Sequence, residues 1–138
     1  MVGVVVATHG RLAEELLRTA EEVCGKLDQC RAVSIGPAGM EDARALLAAA
    51  IREVDAGEGV LVLTDMFGGT PANLALTFLD ERLEVVTGVN LPMLMKLSTC
   101  RTAGAPLRDM AQLLTAHAQK NITLASELLR TRARSSRN

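Results

Sequence analysis

Val2-Gly3-Val4-Val5-Val6-Ala7-Thr8-His9-Gly10, with apolar residues recurring at helical spacing from Leu12 on, is the stretch that decides the fold. A continuous apolar run reads as a strand buried on both faces, and such strands belong to parallel sheets. Leu12, Leu16, Leu17, Ala20 and Val23 then mark one face of a helix that stops near Gly25. Between strand and helix lies a tight turn carrying one imidazole, His9. The carboxyl edge of a parallel sheet is where open α/β folds place their chemistry. A histidine there is placed to carry a proton, a metal or a phosphoryl group.

Working outward, the same alternation repeats. Arg31–Ile35 predicts a second strand, ending in the loop Gly36-Pro37-Ala38-Gly39. Met40 to about Val54 is an alanine-rich helix, and Val60–Leu63 is a third, fully apolar strand. Thr64-Asp65-Met66-Phe67-Gly68-Gly69-Thr70-Pro71-Ala72-Asn73 follows it. Thr70 as N-cap and Pro71 at the first helical position predict a helix to Leu79. Glu84–Thr87 is a fourth strand; Gly88-Val89-Asn90-Leu91-Pro92 leads into a helix through about Thr99. Another helix runs from Pro106 to about Lys120 and stops at Asn121. Ile122–Ala125 alternates as a short antiparallel edge strand. The expected architecture is a three-layer α/β/α domain over residues 1–129, built on a mostly parallel sheet of four strands plus that edge strand. A frayed basic tail with arginines at 130, 132, 134 and 137 completes residues 130–138.

Composition narrows the function classes. With 138 residues the chain is one domain with a real core, and 49% of it is apolar. No apolar run approaches the roughly 18–20 residues that cross a bilayer. No basic leader opens the sequence, so a cytoplasmic protein is expected. A net charge of −1, two Phe and no Trp or Tyr exclude a nucleic-acid binder, which needs a basic surface and stacking platforms. Cys24, Cys30 and Cys100 form no CxxC pair, and they read as small buried hydrophobes. No metal site and no cofactor are expected.

In a parallel sheet the residues that follow each strand gather along one edge. Thr8-His9-Gly10 and Thr64-Asp65 therefore approach one another. A carboxylate beside an imidazole fixes which ring nitrogen holds the proton and frees the other as nucleophile or base. Gly68, Gly69 and Thr70 bring a flexible loop and a helix start, with unpaired N–H groups that favour an anion. Gly88-Val89-Asn90 closes the same edge. Each element alone has a bland reading: a core histidine, a turn-capping aspartate, a good helix start. Found together on one edge they point to a site for a phosphorylated histidine. His117 reads the opposite way, as a surface or partly packed residue, since it lies within a helix between Ala116 and Ala118 with no carboxylate motif around it.

At these residues the chain resembles a known family. The Thr8-His9-Gly10 turn, the Leu63–Asn73 segment and Thr87-Gly88-Val89-Asn90-Leu91-Pro92-Met93-Leu94 are similar to the enzyme IIA domain of the mannose/fructose/sorbose class of the bacterial phosphoenolpyruvate-dependent sugar phosphotransferase system. The resemblance runs in order from Val2 to about Leu129. It implies a phosphoryl carrier, with His9 accepting the group from the phosphocarrier HPr through Nε2. Asp65 holds the other ring nitrogen, and Thr70 supplies a hydroxyl and a backbone N–H near the phosphoryl group, beside Gly68 and Gly69. Met66 stands where some relatives carry a polar residue and is assigned no phosphoryl contact. No IIB segment lies between Leu129 and Asn138, so the group is expected to pass to a separate IIB protein serving a membrane permease.

The resemblance also implies a homodimer, with the Ile122–Ala125 strand crossing to the partner's sheet. Phe67, Met66 and Leu12, beside the motifs, are the expected apolar centre for docking HPr and IIB in turn. Three alternatives stand beside this reading. One is a regulatory module that senses phosphorylation without passing the group on. A second is the phosphoryl-donor subunit of a dihydroxyacetone kinase, whose relatives usually lack Gly-Gly-Thr-Pro-Ala-Asn after the third strand. A third is a hydrolase with His9 as general base, for which no second acid or metal cluster is present.

Overall fold

The structure is a computed structural model describing residues 1–37 and 39–137. Ala38 of the expected Gly36–Gly39 loop and Asn138 of the expected tail lie outside the described residues. In chain order the elements are β1 (Gly3–His9), α1 (Leu12–Cys24), β2 (Cys30–Ile35), α2 (Met40–Val54), β3 (Val60–Thr64), α3 (Thr70–Leu76), β4 (Leu83–Thr87), α4 (Leu91–Thr102), α5 (Leu107–Lys120) and α6 (Ala125–Arg137). Four strands form one parallel sheet in the order β2-β1-β3-β4.

Side-chain alternation along β1 and β3 splits the core into two layers. Val4, Val6, Leu61 and Leu63 face α1, α4 and α5, packing with Ala13, Ala20, Leu94, Leu97 and Leu114. Val5, Val60 and Val62 face α2 and α3, with Leu47, Ala50, Leu74 and Ala75. β1 and β3 are central and buried on both faces, which is why their sequences are apolar without alternation. Burying one such Val or Leu side chain contributes about 1.5–3 kcal/mol.

The winding direction reverses at the centre of the sheet. From β1 the chain crosses to β2 on one side, then returns past β1 to place β3 on the other. The crevice at such a reversal, outside the carboxyl ends of the strands, is where open sheets bind ligands. His9 ends β1, and Asp65 follows β3.

Several boundaries and one element differ from the sequence reading: β1 runs through His9, β2 and β4 begin one residue earlier at Cys30 and Leu83, β3 includes Thr64, and α5 starts at Leu107. α3 ends at Leu76 rather than Leu79, because its last turn tightens: Thr77 N–H bonds Leu74 O and Phe78 N–H bonds Ala75 O. α4 continues to Thr102 rather than Thr99. The expected edge strand at Ile122–Ala125 is absent. Residues 122–124 have no regular structure, and Ala125–Arg137 is helix α6 instead of a strand followed by a frayed tail. Ala, Glu and Leu favour a helix locally, and no strand of the chain's own sheet lies alongside to impose an extended backbone. The helix starts on Leu124 O, which accepts the N–H groups of Glu127 and Leu128. Among the described residues, no helix is long and apolar enough to cross a membrane.

Candidate functional site

Strand register assembles the site. β1 and β3 pair with Ala7 opposite Thr64, so His9 and Asp65 both lie just past the last shared rung. The His9 backbone N–H donates to Asp65 Oδ2 at 3.1 Å, and ring Nδ1 lies 2.8 Å from the same oxygen. An ionised carboxylate only accepts, so the ring nitrogen facing it is Nδ1–H, and Nε2 is left with its lone pair. The His9 side chain is 48% exposed and that of Asp65 14%, so the ring is open to an incoming partner while its anchor is shielded.

Two opposing effects set the acidity of Asp65. Partial burial pushes its carboxyl pKa up. The hydrogen bonds from the His9 ring and backbone N–H, with the attraction of the imidazole, outweigh that and hold it below the ordinary carboxylate value. Its second oxygen, Oδ1, accepts the Met66 N–H at 3.1 Å. The carboxylate is thus ionised at neutral pH and fixed at both oxygens.

The loop after β3 fits against the imidazole at one position only a glycine can fill. A Cβ on Gly69 would sit 2.5 Å from His9 Cε1 and 3.1 Å from Nε2. Gly68 takes φ +90°, a left-handed conformation that glycine adopts without strain. Gly69, not Thr70, is the N-cap of α3. It is extended, its carbonyl accepts the Asn73 N–H at 2.9 Å, and no side chain caps the helix. Thr70 is therefore the first helical residue and Pro71 the second. This leaves the Thr70 side chain uncommitted to a cap, and it lines a cleft of about 480 Å³ with His9, Gly10, Ile35, Gly36, Pro37 and Met40.

Several roles were not legible in the sequence. Thr8 is fully buried, and its Oγ1 accepts the Ala13 N–H at 2.6 Å and donates to His9 O at 3.1 Å. One hydroxyl thus anchors the start of α1 and the residue that carries the imidazole. A threonine closing an apolar run just before a helix is the available signal. Thr64, also fully buried, has a hydroxyl with no hydrogen-bond partner among the described residues. Met40 lines the cleft and is 59% exposed; Leu12, Met66 and Phe67 are exposed as well, Phe67 at 75%.

Other expected residues sit apart from the imidazole. Asn90 caps α4 by accepting the Met93 N–H at 3.0 Å and ties it to α5 by donating to Ala118 O at 3.2 Å, while Val89 N–H bonds Thr64 O. Among the described residues the one side-chain hydrogen-bond partner of the His117 ring is Asn121, at 3.3 Å. Cys100 is buried and Cys30 half-buried, and burial pushes both thiols up in pKa. Cys24 departs from the expected buried set: it is exposed in the last turn of α1, its thiol donating to Ala20 O. Among the described residues no group of three or more His, Cys, Asp or Glu side chains could hold a metal ion.

Fold and site together define an open, doubly wound α/β protein with a carboxylate-held histidine at its switch point. The chain belongs to the PTS system fructose IIA component family, whose sequence model matches residues 3–114. It is 38% identical over 105 residues to YadI of Escherichia coli (strain K12), named as a phosphotransferase enzyme IIA component, covering 73% of this chain and 71% of that protein. It is 30% identical over 132 residues to the PTS system fructose-specific EIIA component of Bacillus subtilis (strain 168), covering 94% and 90%. Among solved structures, the mannose/sorbose specific IIA subunit of the phosphotransferase system from Enterococcus faecalis superposes with a TM-score of 0.79 at 32% identity, covering 88% of this chain and 92% of that one.

Proposed function

We propose that the chain is a phosphoryl carrier that takes a phosphoryl group from phospho-HPr onto Nε2 of His9 and gives it to a separate IIB protein. The observation that carries this reading is the single Asp65 oxygen holding both the His9 backbone and Nδ1, which leaves Nε2 as the free nucleophile. In the loading step the Nε2 lone pair attacks phosphorus as the bond from phosphorus to its donor breaks. Nδ1 keeps its proton throughout. The ring becomes cationic, and the fixed Asp65 carboxylate stabilises that charge without reorganising. The main chain of Gly68 and Gly69 and the Thr70 hydroxyl receive the phosphoryl oxygens. The reverse displacement by an acceptor on IIB unloads the ring, so no group is consumed.

Both transfers need partners that dock briefly and leave. The exposed apolar rim of Leu12, Met66 and Phe67 around the half-exposed imidazole suits a small interface, near the low end of about 1,200 Å² buried. The phosphotransferase unit is taken as residues 1–129. The working form is a homodimer joined through the C-terminal segment, where Ile122, Leu124 and Leu129 are exposed with nothing of their own chain over them. The protein serves a membrane permease through IIB.

Incubation with phosphoenolpyruvate, enzyme I and HPr, followed by addition of a IIB protein of the mannose class, tests the cycle. The expected result is an acid-labile, base-stable label that appears on this chain and moves to IIB. A label that forms but never leaves would make the chain a regulatory module, and absence of any label would refute the carrier reading.

A further inference from the structure

β3 reads Val60-Leu61-Val62-Leu63-Thr64, and only its last residue is polar. Thr64 is fully buried, and its Oγ1 makes no hydrogen bond among the described residues. Its backbone is committed, since Thr64 O accepts the Val89 N–H at 2.9 Å. Valine has nearly the same shape and would bury a methyl group there without leaving a hydroxyl unpaired. A hydroxyl kept in such a place calls for an account.

Its position supplies one. Thr64 pairs with Ala7 on β1, so it lies on the same face of the sheet as His9, one pleat below it. It immediately precedes Asp65, and the chain that follows folds back over this face as the loop whose Gly69 touches the imidazole. We propose that Thr64 is a positioning residue for the loaded state. Its hydroxyl, unpaired while Nε2 is free, hydrogen-bonds the main chain of the 66–70 loop once that loop turns onto a phosphoryl group at His9. The hydroxyl touches neither the phosphoryl group nor the imidazole. It acts by fixing the loop, so that the unloaded protein carries an unmet bond that loading satisfies.

This inference rests on the carrier reading, and the two can fail separately. Wild type, Thr64→Val and Thr64→Ser are each melted and each loaded with phosphoenolpyruvate, enzyme I and HPr. The hydrolytic half-life of the label and hydrogen exchange at residues 66–70 are then followed. Thr64→Val is expected to melt at or above the wild-type temperature, because it removes an unpaired buried hydroxyl. It is expected to shorten the half-life of the phosphorylated protein by about tenfold, the effect of losing one good hydrogen bond, and to abolish loading-dependent protection of the loop. Thr64→Ser should restore both. Wild-type lifetime and protection in Thr64→Val would overturn the inference alone, as would a Thr64→Val protein that fails to fold. A wild-type chain that takes no label would overturn the carrier reading and this inference together.

Discussion

The carboxyl edge of the sheet and the C-terminal stretch from His117 to Arg137 offer similar raw material, a half-exposed histidine beside exposed apolar side chains, and differ in what holds it. His9 is bound through backbone and ring to a carboxylate 56 residues away. Among the described residues the His117 ring hydrogen-bonds only Asn121, four residues on in the same stretch of chain. Beyond it, the hydrogen bonds of α6 side chains among the described residues stay within the helix, as Thr131 bonds Glu127 O and Ser136 bonds Ala133 O. Long-range register fixes the geometry and charge of the first region; in the second, the backbone of Ala118 is tied to Asn90, but the histidine itself has only a local partner. Chemistry follows the region where the fold, not the local sequence, sets the partner.

The sharpest way to break this contrast is to remove each histidine. His9→Ala should abolish phosphoryl labelling, and His117→Ala should label at the wild-type rate; persistent labelling of His9→Ala would erase the distinction. Next in size is Gly69→Ala, whose new Cβ would displace the imidazole ring. A shift of that order costs about a hundredfold in rate, and loading kinetics would read it. An unchanged rate would show that loop and ring do not meet in the working state.

Asp65→Asn keeps a hydrogen-bonding group but removes the charge. Losing a charged hydrogen bond of about 1.5–3 kcal/mol slows loading about ten- to a hundredfold. Its pH signature has a definite sign. The Asp65 pKa is lower in the folded chain than in the unfolded one, so its stabilisation is complete above the ordinary carboxylate range and is lost as pH falls through the folded value. The melting-temperature gap between wild type and Asp65→Asn should therefore be constant above about pH 5 and shrink below about pH 4. A gap that widens on acidification would contradict the assignment.

Two smaller effects separate docking from assembly. Phe67→Glu should slow transfer from HPr about fivefold, by roughly 1 kcal/mol of lost interface energy, with the melting temperature held. An unfolded variant would return Phe67 to the core. Removal of residues 121–138 should leave His9 labelling intact and convert the proposed homodimer to a monomer in sedimentation equilibrium. A dimer that survives the deletion would place its interface elsewhere.

The same contrast explains what the sequence disclosed. β1, β3 and the edge they create were legible because buried central strands carry unbroken apolar runs and the glycine-rich turns mark where they stop. His9 and Asp65 followed from topology, since parallel strands put their exits on one edge. The cap of α3 lies one residue before the expected Thr70, because Gly69 is extended and its carbonyl already accepts the Asn73 N–H. Thr8 and Thr64 were illegible because burial and pairing of a hydroxyl depend on three-dimensional neighbours. Ile122–Ala125 forms no strand because four alternating residues become one only beside another strand. The chain's own sheet offers none there, so helix propensity prevails from Ala125 on.

The most direct test is long-range 1H–15N NMR of the phosphorylated protein, which reads each imidazole nitrogen separately. The expected spectrum shows phosphorus bonded to Nε2 of His9, Nδ1 of the same ring still protonated against Asp65, and His117 unchanged. Phosphorus on Nδ1, or on His117, would contradict the account.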